Sequence, residues 1–258
     1  MKKVLIVLML ALGLGLAKAA LAEQPVSTAF SLTAEDKKVA QWASAPIEKV
    51  RAAAEQGNAA AQAGLGLKYH IASGIERDDV QCAVWLRKAA DQGYATAQKM
   101  LAQQYANGEG VAKDEAQAVA WYRKAAEQDD ASAQANLGEM YDNGKGVAED
   151  NAQAVIWYRK AAEQGIAAAQ YNLGAMYANG EGIARDDVQA TAWFRKAAEQ
   201  GDVDAQALLG DIYAQGAQGV AQDKAQAIVW YRKAAAKGHA HAQEKLRELQ
   251  AEASKGVD

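Results

Sequence analysis

The sequence predicts an all-α fold, an α/α superhelical solenoid built from helix-turn-helix repeats. Strings of the type WYRKAAEQG begin at Trp85, Trp121, Trp157, Trp193 and Trp230, at intervals of 36, 36, 36 and 37 residues. Within each interval the apolar residues follow helical spacing, and a Gly-rich loop separates two such stretches. A repeat of this length is typical of helical hairpins that bury their apolar faces by stacking on one another.

The first 22 residues have the pattern of a secretory signal peptide. Lys2 and Lys3 precede an apolar run over residues 4–17, and an Ala-Leu-Ala sequence at 20–22 supplies a small-residue cleavage site. The run has about 14 apolar residues, fewer than the roughly 20 that a bilayer-spanning helix needs. We therefore expect cleavage after Ala22, a periplasmic or secreted protein, and no membrane insertion of the mature chain.

Removal of the signal peptide would make the chain more acidic. The 28 basic residues of the full sequence fall to 25 against 32 acidic ones, which gives a net charge of −7. An acidic surface disfavours nucleic acid and anionic membranes as partners.

The single cysteine, Cys82, cannot form an internal disulfide, so packing alone must hold the fold together. It stands at the repeat position where the other repeats carry alanine. We therefore predict a small buried residue rather than a reactive thiol.

The first half of each repeat predicts a helix, which we call helix A. Ala97, Leu101 and Tyr105 lie four residues apart and so share one helix face. Glycine within a helix costs up to about 1 kcal/mol, so a recurring small residue after the leucine predicts close approach of a neighbouring helix. These small residues are Gly66, Ala102, Gly138, Gly174 and Gly210.

The second half predicts helix B, which begins after an aspartate N-cap with glutamine three residues further on, as at Asp114 and Gln117. A wide apolar stripe that includes Trp121 and Tyr122 follows. Glycine ends helix B in most repeats, and Asp129 replaces it once. We expect this aspartate to lower local stability.

The two ends of the array depart from the repeat, as capping units of a solenoid do. We predict a signal peptide at 1–22, a flexible lead-in at 23–32, and a degenerate capping hairpin at 33–57. Five repeats follow over 58–238, then a capping helix at 239–250 and a tail at 251–258. The predicted repeats span 58–93, 94–129, 130–165, 166–201 and 202–238.

The combined pattern A-Q-x-x-L-G-x-x-Y-x-N-G-x-G-V and D-x-x-Q-A-x-x-W-Y-R-K-A-A-E-Q-G resembles the Sel1-like repeat family, which is related to tetratricopeptide repeats. The resemblance implies an adaptor or scaffold, often in bacterial secretion, envelope signalling or host contact. A cysteine-rich branch of that family is associated with penicillin binding and β-lactamase activity, which leaves such an enzyme as the alternative. That branch has disulfides within its repeats, and this chain has one cysteine.

The sequence offers no candidate catalytic residue, metal site or cofactor site. Motifs such as H-E-x-x-H and C-x-x-C are absent from it. Of the histidines, His70 falls in the loop of the first repeat. His239 and His241 are two residues apart and would point to different sides of a helix. A surface pair is favoured over a metal-binding pair.

The resemblance implies a protein or peptide partner. By analogy with tetratricopeptide arrays, helix A lines the concave face, and we expect the partner to bind there. Helix A positions that vary between repeats are the candidate binding residues, and the outer face of helix B is the alternative surface. Side-chain amides at two of them, Asn136 and Asn172, can donate and accept with a peptide backbone, although both also fit the repeat pattern. The candidates are Lys99, Gln103, Asn136, Glu139, Tyr171, Asn172 and Asp211.

Overall fold

The computed structural model describes residues 33–255, so the predicted signal peptide and lead-in lie outside the described residues. The described chain is helical, with one isolated antiparallel bridge in the loop of the fifth repeat. The helices are α1 (Ala34–Ser44), α2 (Ile47–Glu55), α3 (Ala59–Ile71), α4 (Asp79–Asp91), α5 (Ala95–Asn107), α6 (Glu115–Ala126), α7 (Ala131–Asp142), α8 (Asn151–Glu163), α9 (Ala167–Asn179), α10 (Asp187–Glu199), α11 (Val203–Gln215), α12 (Lys224–Ala236) and α13 (Ala240–Lys255).

The chain divides into two compact units, one ending at Asp150 and the other beginning at Asn151. In unit 1, α3 packs on α4 and α5 packs on α6, each pair being helix A and helix B of one repeat. In unit 2, α9 packs on α10 and α11 on α12 in the same way. The predicted all-α fold of helix-turn-helix repeats is confirmed.

Small residues on helix A let the two helices of a repeat approach closely. A Cβ atom added at Gly174 would lie 2.8 Å from a ring atom of Phe194, and one added at Gly210 would lie 2.4 Å from the ring of Tyr231. These distances are shorter than real Cβ contacts. The recurring glycine therefore makes room for the second aromatic residue of helix B, as the sequence predicted.

The basic residues of the W-Y-R-K string have two separate structural roles. The lysine folds back over the tryptophan of its own helix, and Lys124 Nζ lies 3.8 Å from the centre of the Trp121 ring. The arginine reaches the tyrosine on helix A of the next repeat, and Arg159 donates to the Tyr177 hydroxyl over 2.9 Å. One basic residue thus covers an aromatic surface while the other joins successive repeats.

A ladder of glutamine side chains also joins the repeats. On helix A, Gln98 Nε2 donates over 3.1 Å to the carbonyl of Ala90 in the last turn of the preceding helix B. Gln128 Nε2 in turn donates to Gln98 Oε1 over 2.8 Å. That carbonyl also accepts from the backbone N–H of Gly93 over 3.0 Å, so the glutamine adds a second hydrogen bond at the helix end. The ladder stops where Lys237 replaces the glutamine, and there the buried Oε1 of Gln206 has no partner.

The residues that follow helix B have left-handed backbone conformations. The φ angle is 85° at Gly93, 91° at Gly165 and 95° at Gly201, and Asp129 has a φ angle of 63° at the same repeat position. A non-glycine residue in this region costs roughly 1–2 kcal/mol. The predicted unfavourable position of Asp129 agrees with this conformation.

We expect Asp129→Gly to raise the free energy of unfolding by about 0.5–1 kcal/mol. Relief of the left-handed strain is partly offset by the greater freedom of glycine in the unfolded chain and by loss of the long hydrogen bond, 3.3 Å, from Gln134 Nε2 to Asp129. Urea unfolding followed by circular dichroism measures the change. Gly165→Asp is the matched control and should lower stability to a similar extent; a less stable Asp129→Gly variant would contradict the prediction.

The N-terminal cap differs from the predicted hairpin. Both predicted segments are helical, and Thr33 starts α1 through a capping box with Asp36. However, α1 packs mainly on α3 and also contacts α5, so it lies on the helix A side of the first two repeats. A Cβ atom added at Gly64 would lie 2.4 Å from Trp42 Cβ. The absence of a side chain at Gly64 therefore allows α1 to pack there.

Candidate protein-binding surface

In unit 1, two of the predicted binding residues share one face of α7. Asn136 and Glu139 are one helical turn apart. The Glu139 side chain is 52% exposed and pairs with Lys145 over 2.8 Å. Asn136 is half-buried, and its side-chain amide has no hydrogen-bond partner among the described residues. This face therefore offers one unpaired amide beside an exposed ion pair.

In unit 2, Tyr171 and Asn172 lie side by side on α9. The Tyr171 ring is half-buried, with its centre 5.5 Å from that of Phe194. Burial, together with the nearby carboxylates of Asp204 and Asp202, raises the pKa of Tyr171, so the hydroxyl stays protonated and can donate. Asn172 occupies the repeat position of Asn136 and is likewise half-buried without a hydrogen-bond partner in the described chain.

The structure does not support Lys99 as a binding residue. Its side chain is buried, with Nζ 2.8 Å from Asp130 and 3.5 Å from Asp36. Thr96 Oγ1 also donates to Asp36 over 2.9 Å. Because α1 brings Asp36 onto the helix A side of the repeats, the Lys99 ammonium pairs with buried carboxylates inside the protein.

Asp211, another candidate binding residue, has an internal role instead. Its carboxylate accepts a hydrogen bond of 2.7 Å from the Tyr231 hydroxyl and lies 2.8 Å from His241 Nε2. Asp211 therefore holds the first turn of α13 against the last repeat. The remaining candidate, Gln103, is half-buried and lines a small cavity in unit 1.

Two residues were not identified as candidates from the sequence, although one makes buried polar contacts and the other is a buried amide. Asp36 lies outside the repeats, and only the small residues on α3, including Ala63 and Gly64, hint that another helix packs there. Gln104 is buried and lines the same cavity as Gln103. Its signal is a departure from the repeat, because the next repeat carries Met140 at that position.

The structure shows no candidate metal centre in the part that it describes. Within residues 33–255, no group of three or more His, Cys, Asp or Glu side chains is placed to hold a metal ion. Burial raises the pKa of the Cys82 thiol to about 12, which keeps it protonated and weakly nucleophilic. No helix over the same residues is both long enough and apolar enough to cross a bilayer.

The repeat architecture is matched by a family model for the Sel1 repeat, over residues 59–94, 95–130, 131–166, 167–202 and 203–239. The chain belongs to the Sel1 repeat family. The matched repeats begin one residue after the boundaries expected from the sequence. A comparison with curated protein sequences gave no match.

Two solved structures of Sel1 repeat proteins share the fold and a substantial part of the sequence. The protective antigen c5321 of uropathogenic Escherichia coli, which displays an SLR fold, is 43% identical with a TM-score of 0.77. The match covers 80% of this chain and 44% of the antigen. A Sel1 repeat protein from Oxalobacter formigenes is 39% identical with a TM-score of 0.70, over 79% of this chain and 59% of that protein. This chain thus spans about half the length of these relatives.

Proposed function

We propose that this Sel1 repeat protein is an exported scaffold that binds a peptide or protein partner through its helix A faces. Sel1 repeat proteins are in general non-enzymatic scaffolds for protein–protein interaction. The single observation that carries the proposal is the pair of unpaired amides at Asn136 and Asn172, which hold the same position in two repeats.

The contrast with the neighbouring glutamines supports this assignment. Gln170 lies two residues before Asn172 on the same helix, and its amide donates to the Ala162 carbonyl and accepts from Gln200. The asparagine amides have no such internal role. A half-buried amide with both donor and acceptor unused suits an extended peptide backbone, which presents the complementary N–H and C=O groups.

Export is part of the proposal and rests on residues outside the described structure. The basic start, the short apolar run and the Ala-Leu-Ala sequence before Glu23 support a cleaved signal peptide. The relative from uropathogenic Escherichia coli is named as a protective antigen. A location in the cell envelope or in contact with a host would agree with that description.

The partner-binding proposal is tested by site-specific crosslinking in the cell envelope. A photoreactive amino acid at Glu139 should give a discrete adduct with a partner protein. The matched control is Val84, which is 42% exposed on helix B of the first repeat, and it should give none. An adduct from Val84 alone would contradict the helix A assignment and favour the helix B surface.

Once the partner is identified, we expect Asn136→Ala with Asn172→Ala to weaken its binding about 30-fold. Each substitution removes hydrogen bonds worth about 1 kcal/mol. Folding stability should stay the same or rise slightly, because neither amide has an internal partner and alanine favours a helix. Isothermal titration with each folded variant measures the effect, and wild-type affinity in the double variant would exclude the two amides as contacts.

Export is tested separately by N-terminal sequencing of the protein from the periplasmic and extracellular fractions. The mature chain should begin at Glu23. Recovery of the protein with Met1 intact in the cytoplasmic fraction would contradict export while leaving the binding proposal open to its own test.

A further inference from the structure

A cavity in unit 1 lies among α3, α4 and α5, at the boundary between the first two repeats. Its volume is about 130 Å³. An engineered protein cavity of about 150 Å³ binds benzene, so this cavity can hold a ligand of about six non-hydrogen atoms. Asn107 is among the lining residues and is exposed, which gives the cavity an opening to solvent.

Three lining residues that can form hydrogen bonds depart from the repeat pattern, as does the apolar Leu86, which stands where the other repeats carry tyrosine or phenylalanine. Cys82 stands where the other repeats carry alanine, and Gln104 stands where the next two repeats carry Met140 and Met176. His70 occupies a position that holds alanine or aspartate elsewhere. Each of these three residues introduces a group that can form hydrogen bonds, and all three line the same cavity.

The Gln104 amide is the strongest indication of a ligand. The residue is 4% exposed, and neither Nε2 nor Oε1 has a hydrogen-bond partner. The amide lies close to the Cys82 thiol and partly offsets the rise in the thiol's pKa. The two groups do not have the geometry of a normal hydrogen bond. An unpaired buried amide is unfavourable, whereas methionine would fill the position without that cost. Both atoms have almost no accessible surface, so the side chain must turn toward the cavity for a bound group to pair with them and remove the penalty.

The other polar groups of the cavity favour a neutral ligand that donates hydrogen bonds. His70 Nδ1 lies 2.9 Å from Asp79 Oδ1. Partial burial works against ionisation of Asp79, yet hydrogen bonds from Arg77 and His70 hold its pKa below the usual value. The ring therefore donates from Nδ1 to this carboxylate, and in the neutral tautomer Nε2 is an acceptor. The acidic neighbour Glu109 disfavours an anionic ligand.

We propose that this cavity binds a small neutral primary carboxamide. The ligand's NH₂ group donates to Gln104 Oε1, and its carbonyl accepts from Gln104 Nε2, which makes an amide-to-amide pair. In its neutral form His70 offers Nε2 as an acceptor for the second N–H of the ligand. The apolar end of the ligand contacts Leu86 and Met100. This site is separate from the asparagine amides proposed to bind a protein partner.

The test is a titration of the full chain with propionamide, followed through the ¹⁵N-labelled side-chain amide of Gln104. We expect a saturable shift of that signal, assigned by its loss in Gln104→Met. Propionate, which has the same size but carries a charge, should produce no such shift. Saturating propionamide should also slow the reaction of Cys82 with methyl methanethiosulfonate, since both compete for the same space.

Protection of Cys82 also provides a readout that does not depend on the Gln104 signal. Gln104→Met carries the residue of the next repeats, so it should fold, and its protection by propionamide should need at least about tenfold more ligand. Gln117→Met, an exposed change in the same unit, should behave like wild type. An unshifted Gln104 signal, an equal response to propionate, or equal protection in Gln104→Met would each overturn the proposal.

Discussion

Lys99→Ala should be about 3–5 kcal/mol less stable than the wild type, because removal of one partner leaves buried charges without compensation. The Lys99 ammonium lies between the carboxylates of Asp130 and Asp36, and all three side chains are at most 5% exposed. Without the ammonium, two like charges would face each other in the interior. Urea unfolding of the full chain, followed by circular dichroism, measures the loss.

Two further variants separate buried charge from simple loss of contacts. Lys113→Ala removes a lysine whose side chain is 60% exposed and pairs with Glu115, and it should change stability by at most about 1 kcal/mol. Replacement of Lys99 by Met together with Asp36→Asn and Asp130→Asn removes every charge of the cluster. Asparagine at 130 preserves the N-cap to Ala133 N. This triple variant should recover most of the loss, and a Lys99→Ala cost under about 1 kcal/mol would contradict the assignment.

The repeats could be predicted from the sequence because each carries complete local signals. Asp114 caps its helix through the backbone N–H of Gln117, at the position that the sequence indicated. Gly108 ends the preceding helix with a φ angle of 75°, which suits glycine. Such signals depend on neighbouring residues and recur in most repeats, so they identify the helices without knowledge of the tertiary structure.

The position of α1 could not be predicted in this way. It occurs once, and its contacts with Tyr94 and Thr96 join residues about 60 positions apart in the chain. Lys99 differs from the residues at the same position in the other repeats. Such a difference can mark either a binding residue or a contact with an element outside the repeats. Only the burial of Lys99 under α1 decides between the two. The unpaired amides of Asn136 and Asn172 likewise become evident only when the hydrogen bonds of their neighbours are known.

In unit 2, Phe194→Ala should lower the free energy of unfolding by about 3–5 kcal/mol, the usual cost of truncating a buried large aromatic residue. Phe194 is 1% exposed and packs in the space that Gly174 leaves open. Because neighbouring repeats stabilise each other, the loss should also loosen the adjacent repeat. Phe194→Tyr is the conservative control, since Tyr122 and Tyr231 hold the same position in other repeats. Hydrogen exchange of α9 and α11 reports how far the effect spreads.

A double-mutant cycle tests whether the glycine and the aromatic ring are matched. Gly174→Ala alone should destabilise the protein, because the new methyl group would lie 2.8 Å from the Phe194 ring. In the Phe194→Ala background the same change should instead be stabilising, since the methyl group enters the vacated space and alanine favours a helix by up to about 1 kcal/mol over glycine. The difference between the effects of Gly174→Ala in the two backgrounds is the coupling energy between the two positions. If Gly174→Ala has the same effect in both backgrounds, the glycine is not there to accommodate the ring.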